Sequence, residues 1–229
     1  MTVTQGPAVV LLSGGMDSSC LVHYVARRLS RSPVHALSFH YRQRHSKELA
    51  CARHQAEQAG AHHVVMDLSF LAGLLQGATA LVEGGGSVPN LRDLAERERD
   101  QPPTYVPNRN MILLAVAAAY AEARGVADVF YGAQALDEYG YWDCTAEFVD
   151  RLNGVLSLNR RTQVVIHAPF LRMKKAESLK IGIELGVDYA RTWSCYRGEE
   201  RPCGACPTCV ERLNAFREVG IPDPLQYTT

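Results

Sequence analysis

Short, mostly apolar runs rich in aliphatic and β-branched residues recur along the chain. The runs are Ala8–Leu12, Val34–Phe39, His63–Leu68, Val126–Tyr131 and Val164–His167. Runs of this length and composition, bounded by polar segments, are typical of strands. Each of them therefore predicts a strand that is buried on both faces of a sheet.

Longer segments with helical patterns lie between these runs. After a pair of glycines, the apolar residues Leu21, Val22, Val25 and Leu29 share one helical face. Further helical patterns are Lys47–Gln58, Arg109–Ala123 and Lys174–Leu185. Because strands that alternate with helices form parallel sheets, the sequence predicts an α/β, Rossmann-like parallel sheet with helices on both faces.

The alternation is interrupted between Gly77 and Pro107. This stretch is rich in glycine, proline and charged residues, and its apolar residues follow no period. Loops of this length inside a compact domain are usually active-site lids or linkers. We predict a mobile lid over residues 77–107 with a short helix near Leu91–Arg99, and otherwise a single domain over residues 1–229.

The composition favours a small-molecule partner. The 24 Lys and Arg residues balance the 24 Asp and Glu residues, and the pI is about 7.1. A balanced charge gives no long-range attraction for nucleic acid or an anionic membrane, so we expect direct binding of neither. We find no pattern of a signal peptide and no apolar run approaching the roughly 18 residues of a membrane span, which predicts a cytoplasmic protein.

The string "VVLLSGGMDSSC" carries the first candidate site. A strand that breaks at Ser13-Gly14-Gly15 and enters a helix leaves free backbone N–H groups at a helix N-terminus, which bind phosphate well. The loop lacks the lysine of a Walker A motif and the spacing of a dinucleotide fingerprint. Asp17 would repel phosphate unless a cation lies between them or backbone donors occupy its carboxylate, and a bridging Mg²⁺ is the favoured explanation.

Four cysteines near the C-terminus form the second candidate site. Cys195, Cys203, Cys206 and Cys209 follow the spacing C-x7-C-x2-C-x2-C. Four thiolates are a complete tetrahedral set for Zn²⁺, which predicts a closed, structural zinc knuckle over residues 193–213. A redox pair and an iron–sulfur cluster are alternatives. A catalytic zinc of the deaminase type is not supported, because no histidine is followed two residues later by glutamate and no H-E-x-x-H occurs.

The two motifs together resemble a known family. "SGGMDS" resembles the pyrophosphate loop of the PP-loop ATP pyrophosphatases, and its combination with the cysteine spacing is similar to the 7-cyano-7-deazaguanine synthase (QueC/ExsB) family. The resemblance runs from about Val9 to Pro224. It includes the strings "LSFHYRQRH", "TYVPNRNMILL", "ALDEYGYWDC", "HAPFLRMKKAE", "LGVDYARTWSCY" and "GIPDP".

The resemblance implies an ATP-dependent carbon–nitrogen ligase of the queuosine pathway. Such an enzyme converts 7-carboxy-7-deazaguanine and ammonia into the 7-nitrile through an adenylated carboxylate and then an amide, and a homodimer is implied as well. ATP and Mg²⁺ would be bound by the loop and Zn²⁺ by the cysteines. The implied nucleotide-binding residues, with their flanking positions, are Leu11, Leu12, Ser13, Gly14, Gly15, Met16, Asp17, Ser18 and Ser19.

Further candidates lie where strands end and helices begin. Asp17, Lys175 and Arg109 are predicted to act by charge stabilisation, Lys175 on phosphate and Arg109 on phosphate or on the substrate carboxylate. Ligands of open α/β sheets bind beyond the carboxyl ends of the strands. The candidate substrate residues at these ends, and in the segment that follows, are Gln43, Arg44, His45, Gly132, Asp137, Tyr139 and Trp142.

Some positions depart from the family pattern. Arg42 stands where glycine is usual, so a positive φ there would be strained. Tyr139, Trp142 and Thr145 stand where Ser, Pro and Arg are usual. One alternative is therefore a related enzyme that adenylates this or another carboxylate, uses a different amine and stops at an amide. Two further alternatives are a PP-loop tRNA sulfur transferase and a non-catalytic, zinc-stabilised nucleotide-binding module.

Overall fold

A five-stranded, wholly parallel sheet forms the centre of the protein. The computed structural model describes residues 5–43, 47–82, 86–94, 102–134 and 141–228. The strands are β1 (Ala8–Leu11), β2 (Val34–His40), β3 (His62–Asp67), β4 (Asp128–Phe130) and β5 (Val165–His167). Their order is β3-β2-β1-β4-β5, with Val10 paired to Ala36 on one side and to Phe130 on the other. The predicted Rossmann-like α/β fold is confirmed.

The described residues form seven α-helices around the sheet. They are α1 (Met16–His23), α2 (Lys47–Ala59), α3 (Leu71–Leu74), α4 (Arg109–Ala123), α5 (Ala146–Leu156), α6 (Lys175–Glu184) and α7 (Pro207–Val219). α1 continues as a π-helical turn over Tyr24–Arg28. The sequence analysis did not predict α3, α5 or α7. α7 has clear end signals, since Pro207 is its first residue and Gly220, with φ of 83°, follows its last.

The edge strands correct one prediction. β3 has no buried residue, and Val165 of β5 is 39% exposed. The prediction that each strand is buried on both faces is therefore wrong for β3 and only partly right for β5. Both strands lie at the edges of the sheet, whereas the central strand β1 is buried at three of its four positions.

The segment predicted to be a lid packs against the core in its described parts. Ala80, Leu81 and Val82 are buried in the same apolar cluster as α4, and Gln43 bridges to Val82. Leu91–Asp93 forms a single 3₁₀ turn. Most of the remaining predicted helix, residues 95–99, lies outside the described residues, and mobility of the lid stays a prediction.

Two apolar layers hold the helices on the sheet. One lies between the sheet and α4, α5 and the cysteine knuckle; the other lies between the sheet and α1, α2 and α6. Within the described ranges, no helix is long and apolar enough to cross a membrane.

α6 approaches the segment before the knuckle so closely that one position allows no side chain. A methyl group on Gly182 would overlap the Tyr189 hydroxyl and lie 3.3 Å from Cys20 Sγ of α1. Tyr189 is itself held by Arg212 of α7, whose Nη2 donates to the Tyr189 carbonyl at 2.9 Å. Gly182 therefore determines how α6, and the Lys175 at its start, lies against α1.

Replacing Gly182 with alanine should destabilise the fold, because overpacking a tight contact typically costs about 1–3 kcal/mol. We expect a lower midpoint of thermal unfolding. The matched control is Gly154→Ala in α5, where nothing lies within 4 Å of the added methyl group. Alanine there should raise stability by up to about 1 kcal/mol, the difference in helix propensity. Equal changes in the two variants would contradict the close contact between α6 and Tyr189.

Candidate active site

A cavity of about 280 Å³ opens at the carboxyl ends of the central strands. It brings together residues that follow β1, β2 and β4 and the first residues of α1, α4 and α6. Among the sequence-predicted site residues, those that line it are Leu11, Leu12, Ser13, Gly15, Met16, Asp17, Ser18, Gln43, Arg109, Gly132 and Lys175. Gly14 and Ser19 do not line it: Gly14 packs against α2, and Ser19 is fully buried.

The loop between β1 and α1 is held in shape by its own serines and by α2. Ser13 Oγ lies 2.9 Å from Ser18 Oγ and accepts a hydrogen bond from Gly15 N at 3.2 Å. Gly14 has φ of 84°, and a side chain there would overlap the Glu48 carbonyl oxygen. Gly15 precedes α1 in an extended conformation and provides no side-chain cap. The loop therefore presents N–H and hydroxyl groups of the kind that bind phosphate.

A lysine balances the charge of Asp17. Lys175 Nζ, at the start of α6, lies 3.2 Å from Asp17 Oδ2 and 3.1 Å from Glu211 Oε2 of α7. The sequence had suggested Mg²⁺ or backbone donors as the partner of Asp17, and had assigned Lys175 to phosphate. The other carboxylate oxygen, Asp17 Oδ1, is buried and has no hydrogen-bond partner within the described part of the chain. It is free to accept a ligand.

Aromatic residues also line the cavity. Tyr41, Tyr131, Tyr141 and Tyr196 line it together with Trp193. We call these five residues the aromatic wall.

Glu48 and Arg109 line the cavity beside the aromatic wall. Burial raises the pKa of Glu48 to about 8, against the opposing effect of the nearby Arg109 charge. Arg109 is the first residue of α4 and follows Asn108, whose φ is 54°. This part of the cavity thus combines the flat apolar surface of the aromatic wall with the Arg109 cation and the weakly acidic Glu48 carboxyl group.

The remaining predicted substrate residues have different placements. Both ends of the Gln43 side chain bind the backbone of its own turn, with Oε1 accepting from Tyr41 N and Nε2 donating to Phe39 O. Arg42 in this turn has φ of 57°. This is the positive φ that was expected to strain an arginine at a position where glycine is usual. Gly132 lies against the loop, since a side chain there would come within 3.5 Å of the Asp17 and Ser18 backbone.

Trp142 is not among the residues that line the cavity. It is 43% exposed and donates from Nε1 to the Tyr105 hydroxyl at 2.9 Å, while its neighbour Tyr141 lines the cavity instead. Arg44, His45, Asp137 and Tyr139 lie outside the described residues.

Several cavity residues were missed by the sequence analysis. Glu48 stands inside a helix that looks solvent-facing, Glu211 lies in the unpredicted α7, and Tyr131 looks like the apolar end of a strand. Cys144 also lines the cavity and accepts from Asn110 Nδ2 at 3.3 Å. The one sequence signal for Tyr131 is its place at the carboxyl end of a predicted strand. We find no local sequence signal that Glu48 or Glu211 would line the cavity.

The four clustered cysteines form a site suited to a metal ion. Their Sγ atoms all lie within 4.8 Å of one another, and all four residues are buried. Backbone N–H groups point at the sulfurs: Cys203 N lies 3.4 Å from Cys195 Sγ, and Cys206 N lies 3.3 Å from Cys203 Sγ. Such donors stabilise negative thiolates, and this donor set fits a closed four-thiolate metal site.

The knuckle is joined directly to the phosphate-type loop. Trp193 N, two residues before Cys195, donates to the Gly14 carbonyl at 2.9 Å. Lys47 Nζ lies 4.9 Å from the centre of the Trp193 ring and donates to the Glu200 carbonyl at 2.6 Å. The metal-type site and the loop are therefore parts of one packed unit.

Comparisons with known proteins identify the family. The family model described as "Queuosine biosynthesis protein QueC" matches residues 7–220. A 7-cyano-7-deazaguanine synthase from Clostridium kluyveri is 44% identical over 226 residues, covering 96% of this chain and 97% of that protein. One from Chromohalobacter salexigens is 45% identical over 221 residues, covering 96% and 85%.

Solved structures with low sequence identity share the fold. The U34-tRNA thiolase NcsA from Methanococcus maripaludis has a TM-score of 0.52 at 14% identity, covering 95% of this chain and 68% of that one. The NMN synthetase from Francisella tularensis has a TM-score of 0.52 at 12% identity, covering 94% and 77%. At these identities the likeness is one of fold, whereas the family model and the curated relatives establish that the chain belongs to the QueC family of queuosine biosynthesis proteins.

Proposed function

We propose that the protein is an ATP-dependent ligase that converts 7-carboxy-7-deazaguanine and ammonia into 7-cyano-7-deazaguanine. Its family membership and the names of its relatives support this activity. The structural observation that carries the proposal is that the phosphate-type loop, the aromatic wall and Arg109 all line the same cavity. Such a cavity suits a nucleotide and a flat, carboxylated base held side by side.

The loop is the proposed nucleotide site. The N–H groups around Gly15 and the hydroxyls of Ser13 and Ser18 would bind the phosphates of ATP. A bound Mg²⁺ would offset the charge of the phosphates, and Asp17 Oδ1 is an unpaired oxygen of the kind that Mg²⁺ prefers. Lys175, which is in contact with Asp17, would help to neutralise the charge of the ATP phosphates.

The aromatic wall is the proposed site of the deazapurine. Its rings offer faces on which a planar base can stack, and the guanidinium of Arg109 can pair with the substrate carboxylate. The residues here orient the acid so that one carboxylate oxygen attacks the α-phosphorus of ATP and pyrophosphate leaves. Catalysis then rests on positioning and charge stabilisation, without a protein nucleophile.

Two rounds of activation give the nitrile. In the first, ammonia attacks the adenylated acyl carbon, AMP leaves, and the nitrogen loses a proton to give the amide. In the second, the amide oxygen attacks the α-phosphorus of a second ATP and pyrophosphate leaves. The bond between carbon and that oxygen then breaks, so that AMP leaves, and the nitrogen loses its two remaining protons to give the nitrile. A homodimer is part of the same proposal on the strength of the family resemblance.

We propose that the metal of the knuckle is a structural Zn²⁺. Four cysteine ligands leave no coordination position for water or substrate. The ion would hold the segment 193–209 in the shape that places Trp193 against Gly14 and Glu211 against Lys175.

The purified protein, given 7-carboxy-7-deazaguanine, ATP, Mg²⁺ and ammonium, should form the nitrile through a transient amide. Mass spectrometry of the time course checks this, with omission of ammonium as the control. A reaction that stops at the amide would indicate the related enzyme with a different amine. ATP that is bound but not consumed would indicate a non-catalytic module.

Asp17→Asn should lower the rate of pyrophosphate release at least a hundredfold, because the variant keeps the shape of the side chain but removes the charge that faces Lys175 and Mg²⁺. The measurement is pyrophosphate release as a function of Mg²⁺ concentration. Asp150→Asn, on the exposed side of α5, is the control and should behave as the unmodified protein. An unaltered Mg²⁺ dependence in Asp17→Asn would refute this role.

Cys206→Ser should remove zinc and lower thermal stability, since binding energy at a structural zinc site contributes to folding. Metal content per chain and the unfolding midpoint are the two measurements. Cys51→Ser, which is outside the cluster, should retain the metal. Full zinc occupancy in Cys206→Ser would show that the cluster is not its site.

A further inference from the structure

The Tyr131 hydroxyl is a buried polar group without a hydrogen-bond partner in the part of the chain that the structure describes. Tyr131 follows β4, its ring belongs to the main apolar cluster, and the residue is 4% exposed. Tyr131 is also one of the residues that line the cavity. Burying an unpaired hydroxyl costs free energy, so a group of this kind is expected to meet a ligand.

Tyr131 lies where the nucleotide loop and the aromatic wall come together. Its backbone is held by β5, with Tyr131 N donating to the His167 carbonyl at 3.0 Å. The next residue, Gly132, packs against the backbone of Asp17 and Ser18. Tyr131 therefore belongs to the aromatic wall but lies beside the loop proposed to hold ATP.

The hydroxyl is a neutral donor under working conditions. Burial raises the pKa of Tyr131 well above its ordinary value, and the neighbouring Cys144 and Asp143 raise it further. The phenol thus keeps its proton and can give it to an acceptor on the ligand. In the proposed reaction the acyl oxygen of the substrate is such an acceptor. It must reach the α-phosphorus of ATP and therefore lies next to the nucleotide loop.

We propose that the Tyr131 hydroxyl donates a hydrogen bond to the exocyclic acyl group of the substrate and holds that group toward the nucleotide loop. This inference rests on the proposed function and adds a substrate-binding residue to it. The carboxylate of the first round and the amide of the second both carry an oxygen that can accept the bond. Tyr131 therefore acts in both rounds of activation.

The contrast with Gln134 supports the assignment to Tyr131. Gln134 also lines the cavity, but its Nε2 donates to Ser178 Oγ of α6 at 2.8 Å, so that its side chain is tied to the helix that carries Lys175. The Tyr131 hydroxyl has no such tether. Gln134 Oε1 is likewise buried without a partner among the described residues, but an amide oxygen cannot donate to a carboxylate, whereas the phenol can.

The test removes the hydroxyl and the acyl group separately. Tyr131→Phe is compared with Tyr189→Phe, which deletes another buried hydroxyl that does not line the cavity. Affinities are measured by calorimetry for 7-carboxy-7-deazaguanine and for 7-deazaguanine, which lacks the acyl group. Rates of conversion of the acid and of the amide, and unfolding midpoints, are measured in parallel.

We expect Tyr131→Phe to bind the acid roughly tenfold to a hundredfold more weakly, the loss typical of one hydrogen bond to a charged acceptor. Its affinity for 7-deazaguanine and for ATP should be unchanged, conversion of both acid and amide should slow, and its unfolding midpoint should not fall. Tyr189→Phe should bind and convert the acid as the unmodified protein does.

Other outcomes overturn the inference in distinguishable ways. If Tyr131→Phe lost equal affinity for the acid and for 7-deazaguanine, the Tyr131 hydroxyl would contact the deazapurine ring rather than the acyl group. Unchanged affinity and rates, or losses matched by Tyr189→Phe, would remove Tyr131 from the site while the proposed function stands. Failure of the unmodified protein to bind and convert the acid would overturn the proposed function and this inference together.

Discussion

The absence of a side chain at Gly14 is the constraint on which the site depends. Only hydrogen fits there, because a methyl group would overlap the Glu48 carbonyl and lie 2.7 Å from Ala52 N. The close approach brings the first turn of α2 against the loop, and the Gly14 carbonyl then accepts the Trp193 N–H. Three segments far apart in the chain meet at this residue, and each contributes side chains to the cavity.

Charged side chains of opposite sign lie close together around the cavity. Lys175 is shared between two carboxylates, and burial raises the pKa of Glu48 to about 8 against the opposing effect of Arg109. Arg212, which also lines the cavity, forms two hydrogen bonds with Asp223 and two more with the 189–192 segment. Asp17 Oδ1 differs from these groups, since it is a buried carboxylate oxygen without a hydrogen-bond partner among the described residues, and a ligand can supply that partner.

The sequence predicted those parts of the site that lie in contiguous motifs. The loop at 13–18 and the four cysteines could be recognised because each set of ligands is close in sequence, and parallel strands followed from their alternation with helices. The pairing of Lys175 with Asp17 and Glu211 could not be predicted, because it joins three helices through tertiary packing. The choice between Trp142 and Tyr141 likewise depends on a turn whose direction local sequence does not determine.

The contact between Trp193 and Gly14 has a consequence for the order in which the protein is made. The phosphate-type loop is synthesised among the first 20 residues, but its supporting hydrogen bond, the Glu211 partner of Lys175 and the Asp223 partner of Arg212 all come from the last 40. A nascent chain carries the loop long before it carries the structure that shapes it. A chain that has not yet been extended through α7 therefore carries the loop without the contacts that support it in the folded structure.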